Sequence, residues 1–76
     1  MSLAVVVYSK PNCMQCEQTK NILKKRGVDF TVVDVSEDAE AFAKVAEMGY
    51  RQLPVVVYGE NHWSGFNPSR LGTITN

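Results

Sequence analysis

Residues 9–20, SKPNCMQCEQTK, contain the only two cysteines of the 76-residue chain, Cys13 and Cys16. A β-branched apolar run precedes this stretch and a helical pattern follows it, so the pair should lie where a strand turns into a helix. Side chains three residues apart on a helix have Cβ atoms about 5–6 Å apart, close to the reach of a disulfide bond. The pair is therefore expected to open and close without refolding of the chain.

The patterns on both sides of this stretch predict an alternation of strands and helices. In chain order these are a strand at 3–8, a helix at 13–26, a strand at 28–35, a helix that Ser36 caps and Gly49 ends, strands at 52–58 and 62–66, and a short helix at 68–71. The first two strands are joined through a helix and should be parallel, whereas the last two should form an antiparallel hairpin. We therefore predict an α/β fold, β-α-β-α-β-β-α, with a central four-stranded mixed sheet in one domain spanning residues 1–76.

Helical spacing identifies the faces that should pack against this sheet. They are Cys16, Thr19, Lys20 and Leu23 in the first helix and Phe42, Val45 and Ala46 in the second. The first helix should end at Gly27, because glycine readily adopts the left-handed conformation of a C-terminal cap. Ser36 should cap the N-terminus of the second helix, with acidic residues in its first turn.

Composition and charge argue against several classes of protein. The chain has 8 Lys and Arg against 8 Asp and Glu and no polybasic strip, so a nucleic acid or an anionic membrane is not an expected partner. No run approaches the ~18 apolar residues of a membrane span, and the start, MSLAVVVYSK, lacks the pattern of a signal peptide. We therefore expect a cytoplasmic protein, whose thiols are kept reduced.

The cysteine pair has the arrangement that dithiol redox chemistry requires. Cys13 should begin the helix, where unpaired N–H groups and the helix dipole lower the pKa of a thiol and favour the attacking thiolate. Cys16 lies one turn further along, on the face toward the sheet, and should be the resolving thiol. Cys13 would attack a partner disulfide, and Cys16 would then attack the mixed disulfide and release the reduced partner. A reductase must afterwards reduce the Cys13–Cys16 disulfide.

Other uses of the pair compete with this one. A structural zinc site usually has four Cys or His ligands, and the chain offers two cysteines and His62. A metal ion or iron–sulfur cluster shared across a dimer is the alternative, in which the protein would be a binding module rather than an enzyme. A purely structural disulfide over so short a loop would restrict the unfolded chain little.

The whole chain resembles the thioredoxin superfamily and, within it, the glutaredoxin-like NrdH-redoxins. The resemblance rests on the order of elements, on CMQC at 13–16, on QLPVVV at 52–57 and on HWSGF at 62–66. It implies a thioredoxin fold and a thiol-disulfide oxidoreductase, with Cys13 as the nucleophile and Cys16 as the resolving cysteine. It also implies a cis peptide bond at Pro54, which would bring the backbone of Leu53 beside the thiols, where an extended partner could pair with it as an added strand.

The resemblance implies partners as well. NrdH-redoxins usually reduce the C-terminal cysteines of the large subunit of class Ib ribonucleotide reductase, and they receive electrons from NADPH through thioredoxin reductase without a bound cofactor. We therefore expect a monomeric electron carrier in ribonucleotide reduction and cell redox homeostasis. The family commonly continues WSGF with Arg-Pro-Asp, whereas this chain has Asn67, Pro68 and Ser69. One positive and one negative charge that could serve the reductase contact are therefore missing.

A glutathione-dependent dithiol glutaredoxin is the main alternative. Glutaredoxins that bind glutathione usually carry Gly-Gly and an Asp-bearing helix start after the last strand, whose N–H groups and charge hold the tripeptide. Here residues 64–69 read SGFNPS, with one glycine and no acidic residue. Lys10 and Arg51 could still attract the carboxylates of glutathione, but the sequence favours the thioredoxin-like interpretation.

The remaining site residues are predicted to contact a substrate or partner. They are Lys10, Met14, Gln15, Leu53, Pro54, Trp63, Ser64, Gly65 and Phe66. Lys10 either stabilises the nucleophilic thiolate, steers an acidic partner, or is a solvated loop lysine. Met14 and Gln15, between the cysteines, should be exposed. Strand alternation places Trp63 and Phe66 on opposite faces of the last strand, and we expect Phe66 to be the one in the core.

Overall fold

The computed structural model describes residues 3–75, so residues 1, 2 and 76 of the predicted domain lie outside the described part. Its elements along the chain are β1 (Val5–Ser9), α1 (Met14–Lys25), β2 (Thr31–Asp34), α2 (Ala39–Glu47), β3 (Val55–Tyr58), β4 (Asn61–Ser64) and α3 (Pro68–Leu71). This order confirms the predicted β-α-β-α-β-β-α arrangement. β2 begins later than predicted because the N–H of Val28 bonds to the carbonyl of Leu23 at the end of α1. β3 begins only after Pro54, which has no N–H to contribute to a sheet.

The four strands form one mixed sheet in the order β2-β1-β3-β4. β1 and β2 are parallel, and Val7 lies opposite Val32. β1 and β3 are antiparallel, and Val7 lies opposite Val56. β3 and β4 form the predicted antiparallel hairpin, in which Val56 lies opposite Trp63. β1 is therefore hydrogen-bonded on both of its edges, and this arrangement explains its unbroken apolar sequence.

Helices cover both faces of the sheet. The cluster on the face covered by α1 and α3 consists of Val5, Val7, Leu23, Val28, Val56, Tyr58, Trp63, Leu71 and Ile74. The cluster on the face covered by α2 consists of Tyr8, Val35, Ala41, Val45 and Val55. Because both layers contact β1, the position of its C-terminal end is fixed from both sides of the sheet.

The predicted inner face of α1 is confirmed in most of its residues. Cys16, Thr19 and Leu23 are buried, whereas Lys20 is half-buried and its ammonium group pairs with Glu17 at the surface. The helix ends as predicted at Gly27, whose φ of 70° is the left-handed conformation that glycine tolerates best. The face that carries Cys16 is thus held against the sheet along the whole helix.

The prediction that Ser36 caps α2 is wrong. Asp38 is the N-cap, and its Oδ1 accepts a hydrogen bond from the N–H of Ala41 at 3.0 Å. Ser36 instead donates its N–H and its hydroxyl to Oδ1 of Asp34, at 2.8 and 2.6 Å. The carboxylate of Asp34 therefore holds the turn after β2, and α2 begins two residues later than a Ser36 cap would allow.

The prediction that Phe42 and Ala46 belong to the core face of α2 is also wrong. The residues of α2 that face the sheet are Ala41 and Val45, whereas Phe42 is 62% exposed and Ala46 is exposed. Helix α2 has two adjacent apolar stripes, of which only one can contact the sheet.

The expectation that Phe66 rather than Trp63 lies in the core is wrong as well. Trp63 is only 5% exposed and belongs to the cluster under α1 and α3, and the guanidinium of Arg70 lies 5.7 Å from its ring centroid. β4 ends at Ser64, and Gly65 has a φ of 83°, so strand alternation does not extend to Phe66. Phe66 is half-buried and packs against the same cluster from its edge.

Arg26 joins α1 to the C-terminal segment. Its Nη1 and Nη2 atoms donate to the carbonyl oxygens of Leu71 and Ile74, at 2.5 and 2.7 Å. Leu71 is the last residue of α3 and Ile74 lies three residues beyond it, so a fork of two donors is well suited to hold both carbonyls.

We expect Arg26→Ala to lower the free energy of unfolding by about 2 kcal/mol, because it removes two hydrogen bonds from a charged donor. The measurement is urea unfolding followed by circular dichroism. Lys25→Ala is the matched control, since Lys25 is an exposed cation one residue earlier, and it should change the stability by less than about 0.5 kcal/mol. Equal effects of the two substitutions would contradict the role given to Arg26.

Candidate redox site

The two cysteines lie at the junction between β1 and α1, as predicted. β1 ends at Ser9, residues 10–12 form a turn in which Asn12 has a φ of 58°, and Cys13 is the N-cap of α1. Asparagine is among the residues that adopt this left-handed conformation most readily. Cys13 and Cys16 are joined by a disulfide bond, with their Cα atoms 5.2 Å apart. One helical turn therefore brings the two sulfur atoms together.

The two sulfur atoms differ in their surroundings. Cys13 is 9% exposed and Cys16 is 0% exposed, which agrees with an attacking and a resolving thiol. Sγ of Cys13 accepts a hydrogen bond from the N–H of Cys16 at 3.1 Å, so the sulfur occupies the place of an N-cap oxygen. After reduction, this N–H and the positive end of the α1 dipole would stabilise a thiolate at Cys13.

The backbone of Leu53 borders the exposed sulfur atom. The Leu53–Pro54 peptide bond is cis, as the resemblance implied, and the carbonyl oxygen of Leu53 lies 3.9 Å from Sγ of Cys13. Pro54 itself is buried, and its own carbonyl accepts the N–H of Gly65 at 2.8 Å. Residues before β3 and after β4 thus meet next to the cysteine pair.

Gln15 links the helix that carries the cysteines to this region. Its Oε1 accepts hydrogen bonds from the backbone N–H of Phe66 at 3.0 Å and from Nε2 of Gln52 at 3.3 Å. The hydroxyl of Ser64 donates to the carbonyl of Gln52 at 2.6 Å. Gly65 has a φ of 83°, a conformation that favours glycine, and its place in the segment therefore rests on backbone freedom. Gln52 was not predicted as a site residue, since a polar residue before a strand gives no signal in the sequence.

A groove of about 750 Å³ lies beside Cys13. It is lined by Lys10, Cys13, Met14, Gln15, Val35, Ser36, Phe42, Val45, Ala46, Tyr50, Arg51, Gln52 and Leu53. Sequence reasoning missed the part of this groove that comes from α2, because it placed Phe42 and Ala46 in the core. Tyr50 is held at the rim by a 2.6 Å hydrogen bond between its hydroxyl and Nδ1 of His62, so the single histidine has a surface role at the hairpin.

The structure brings most of the predicted partner-binding residues around Cys13. Lys10, Met14, Gln15 and Leu53 line the groove, and Met14 is 75% exposed, as predicted. Ser64, Gly65 and Phe66 adjoin the site through Gln15 and Gln52. Trp63 does not, since its side chain faces the core beneath α1 and α3. Binding of a partner by the others stays a prediction.

The residues that depart from the family pattern have a local structural role. Oδ1 of Asn67 accepts the N–H of Arg70 at 3.1 Å, so Asn67 is the N-cap of α3, and Pro68 occupies the first helical turn. These are preferred residues for a helix start. The start of α3 is therefore capped by a neutral side chain.

Within residues 3–75, no three His, Cys, Asp or Glu side chains come together in a group that could hold a metal ion. None of the helices in the same range has the length and apolar character that crossing a membrane requires.

Comparison with known proteins gives consistent matches over nearly the whole chain. A sequence model of the Glutaredoxin family matches residues 5–63. The glutaredoxin-like protein NrdH of Escherichia coli K12 is 36% identical over 72 residues, which cover 95% of this chain and 89% of that protein. The NrdH protein of Lactococcus lactis subsp. cremoris is 41% identical over 70 residues, which cover 92% of this chain and 97% of that protein.

The solved structure of NrdH-redoxin from Escherichia coli superposes with a TM-score of 0.93 at 36% identity and covers 96% of each chain. That structure was used to explain the thioredoxin-like activity profile of the Escherichia coli protein. The likeness shows that this chain has the thioredoxin fold, with its four-stranded mixed sheet. The chain thus belongs to the glutaredoxin family of thiol-disulfide oxidoreductases, in which it is a member of the NrdH-redoxin branch.

Proposed function

We propose that the protein is a cytoplasmic electron carrier that reduces disulfides in partner proteins and is itself reduced by thioredoxin reductase with electrons from NADPH. The proposed acceptor is the large subunit of class Ib ribonucleotide reductase, whose C-terminal cysteines NrdH-redoxins usually reduce. The thioredoxin-like activity profile of the Escherichia coli relative supports this assignment. No bound cofactor takes part, since the two cysteines carry both electrons.

The chemistry proceeds in two exchanges at the Cys13–Cys16 pair. The Cys13 thiolate attacks one sulfur of the partner disulfide, that S–S bond breaks, and the departing partner sulfur leaves with the electron pair and takes a proton from solvent. The Cys16 thiolate then attacks Sγ of Cys13, and the second partner sulfur leaves as a thiolate. The partner gains two electrons, and this chain ends with an intramolecular disulfide between residues whose Cα atoms are 5.2 Å apart.

The proposed choice of electron donor rests on the hydrogen bond between Gln15 and the N–H of Phe66. Glutaredoxins that use glutathione hold the tripeptide with backbone N–H groups and an acidic residue after the last strand. Here the N–H of Phe66 is bonded to Oε1 of Gln15 at 3.0 Å, and residues 64–69 contain no acidic side chain. Glutathione would have to displace Gln15 and would find no carboxylate for its amine, so a protein reductase is the better donor.

The proposal is tested by NADPH consumption with the oxidised protein. Thioredoxin reductase alone should support turnover, whereas glutathione with glutathione reductase should support less than roughly a tenth of that rate, the loss expected from one missing charged contact. Escherichia coli NrdH is the matched positive control. Turnover with glutathione at the rate given by thioredoxin reductase would contradict the proposal and indicate an ordinary glutaredoxin.

The roles of the two cysteines predict different failures. Cys13→Ser should abolish reduction of every disulfide, because the attacking sulfur is lost. Cys16→Ser should retain the first exchange and accumulate a mixed disulfide with the partner, which intact-mass spectrometry detects as a covalent adduct. Turnover by Cys13→Ser, or the absence of an adduct with Cys16→Ser, would show that the roles are assigned wrongly.

The role of Gln15 predicts a gain of function. Gln15→Ala should free the N–H of Phe66 and raise glutathione-driven turnover several-fold, up to roughly tenfold for one hydrogen bond to a carboxylate. Gln18→Ala is the control, since Gln18 is exposed on α1. If the two variants give the same glutathione-driven rate, occupation of this N–H does not determine the choice of donor.

A further inference from the structure

Two polar atoms in the buried layer of the protein have no hydrogen-bond partner. Within residues 3–75, the buried side-chain nitrogen and oxygen atoms in this position are Oγ1 of Thr19 and Nε1 of Trp63. Thr19 is 0% exposed on α1, and Trp63 belongs to the cluster that α1 and α3 cover. An unpaired buried hydroxyl is costly and native structures contain few of them, so this one calls for a reason.

Thr19 follows Cys16 by three residues on the inner face of α1. Both side chains are 0% exposed, so they share the interior of the protein. Side chains three apart on a helix are neighbours, with Cβ atoms about 5–6 Å apart, and each leans toward the N-terminus of its helix. The side chain of Thr19 therefore leans toward the turn that carries the resolving cysteine.

The interior offers few other polar groups to a reduced sulfur at Cys16. In the described part of the chain, the buried residues with polar or charged side chains are Ser9 and Thr19, and no carboxylate is among them. The hydroxyl of Ser9 already donates to the carbonyl of Lys10, at 3.5 Å. Thr19 is therefore the buried hydroxyl that is left to serve the resolving thiol.

Reduction changes what the sulfur of Cys16 can bind. In the disulfide this sulfur is bonded to Sγ of Cys13 and carries neither a proton nor a charge. A free thiol can donate its proton to a hydroxyl oxygen, and a thiolate can accept the proton of a hydroxyl. A buried thiolate without such a donor is disfavoured. Opening the disulfide also frees the Cα–Cβ bond of Cys16 to rotate, so its sulfur can turn toward Thr19.

We propose that Thr19 is a positioning residue for the resolving thiol, whose hydroxyl is hydrogen-bonded to Sγ of Cys16 while the Cys13–Cys16 disulfide is open and unpaired while it is closed. The contact stabilises the reduced pair relative to the disulfide. It also favours the Cys16 thiolate during the second exchange. The inference rests on the proposed function, because it concerns how the same dithiol releases its partner.

The second exchange then proceeds with a defined place for each proton and electron pair. In the mixed disulfide, the Cys16 thiol gives its proton to solvent, and the hydroxyl of Thr19 donates to the thiolate that remains. This thiolate attacks Sγ of Cys13, the bond between that sulfur and the partner sulfur breaks, and the partner sulfur leaves with the electron pair and takes a proton from solvent. Thr19 keeps its own proton throughout and contacts no partner.

The first test measures the redox equilibrium of the full chain in mixtures of reduced and oxidised dithiothreitol, with free thiols counted by alkylation and intact-mass spectrometry. Thr19→Val keeps the shape of the side chain and removes the hydroxyl. It should shift the equilibrium constant about tenfold toward the disulfide, which corresponds to a reduction potential about 30 mV more negative. Thr19→Ser retains the hydroxyl and should stay within about twofold of the wild type. Thr31→Val, the same exchange at an exposed position of β2, is the matched control and should leave the equilibrium unchanged.

The second test distinguishes this role from simple packing. The reduced chain is mixed in a stopped-flow instrument with an aromatic disulfide whose thiolate product is coloured, so that Cys13 releases one product in a first phase and Cys16 releases another in a second phase. Thr19→Val should raise the midpoint pH of the second phase by about one unit and leave the first phase unchanged. Below the midpoint the second phase should slow only about threefold, because a less acidic thiol is less ionised but more nucleophilic once ionised. At the alkaline end it should not be slower than in the wild type.

Several results would overturn the inference. If the wild type cycles with dithiothreitol but Thr19→Val has the same equilibrium and the same midpoint pH, the hydroxyl does not serve Cys16, although the dithiol function stands. If the wild type does not exchange with dithiothreitol either, the proposed function is wrong and the inference falls with it. A second phase that is slowed equally at every pH, in Thr19→Ser as well as in Thr19→Val, would assign Thr19 to packing.

Two nuclear magnetic resonance measurements complete the test. In the unmodified chain, the methyl resonance of Thr19 should move when the disulfide is reduced and should then titrate with the midpoint of the second phase, and a resonance that stays fixed would contradict the inference. The indole N–H resonance of Trp63, the single tryptophan, identifies the other use of the hydroxyl. If Thr19→Val moves this resonance equally in the oxidised and reduced forms and leaves the redox equilibrium unchanged, the hydroxyl pairs with Trp63 and the inference is wrong.

Discussion

β1 is hydrogen-bonded on both edges and covered by helices on both faces, and the chemistry of the protein depends on this constraint. The strand pairs with β2 and β3, and clusters on each face of the sheet include its residues. Its C-terminal end cannot shift without disturbing both layers. The turn of residues 10–12 therefore begins from a fixed point, and Cys13 is held at the start of α1 with little freedom. A nucleophile that must meet a partner disulfide in line gains from this rigidity.

Two features surround the cysteine pair. Gln15, Gln52 and the 64–66 segment are joined by hydrogen bonds, one of which engages the backbone N–H of Phe66. Gln15 and Gln52 also line the open, mostly apolar groove between α2 and Leu53. Under the proposed function, the bond to Phe66 makes a protein reductase the better electron donor, because glutathione would have to displace Gln15 from that N–H.

The sequence predicted the elements and the cysteine site because both depend on local patterns. The apolar run of β1, the helical spacing after Cys13 and the glycine that ends α1 each determine structure within a few residues of themselves. The errors concern choices that depend on the rest of the fold. Whether α2 buries Ala41 or Phe42 is decided by how the helix is rotated on the sheet, and Trp63 is buried because it lies opposite Val56 in the cluster under α1 and α3. Likewise, the carbonyls that Arg26 holds come from residues about 45 positions away in the chain, a separation that no local pattern encodes.

Phe42 is exposed although its side chain is large and apolar. A chain of 76 residues buries only about 60% of its unfolded surface, so each large apolar residue matters to its core. Leaving a phenylalanine in solvent forgoes about 1.5–3 kcal/mol of burial, and a polar residue at that position would leave the buried contacts of Ala41 and Val45 intact. Folding therefore gives no reason for Phe42. Phe42 and Met14 both line the groove that also contains Cys13, so the apolar surface withheld from the core lies at the cysteine site.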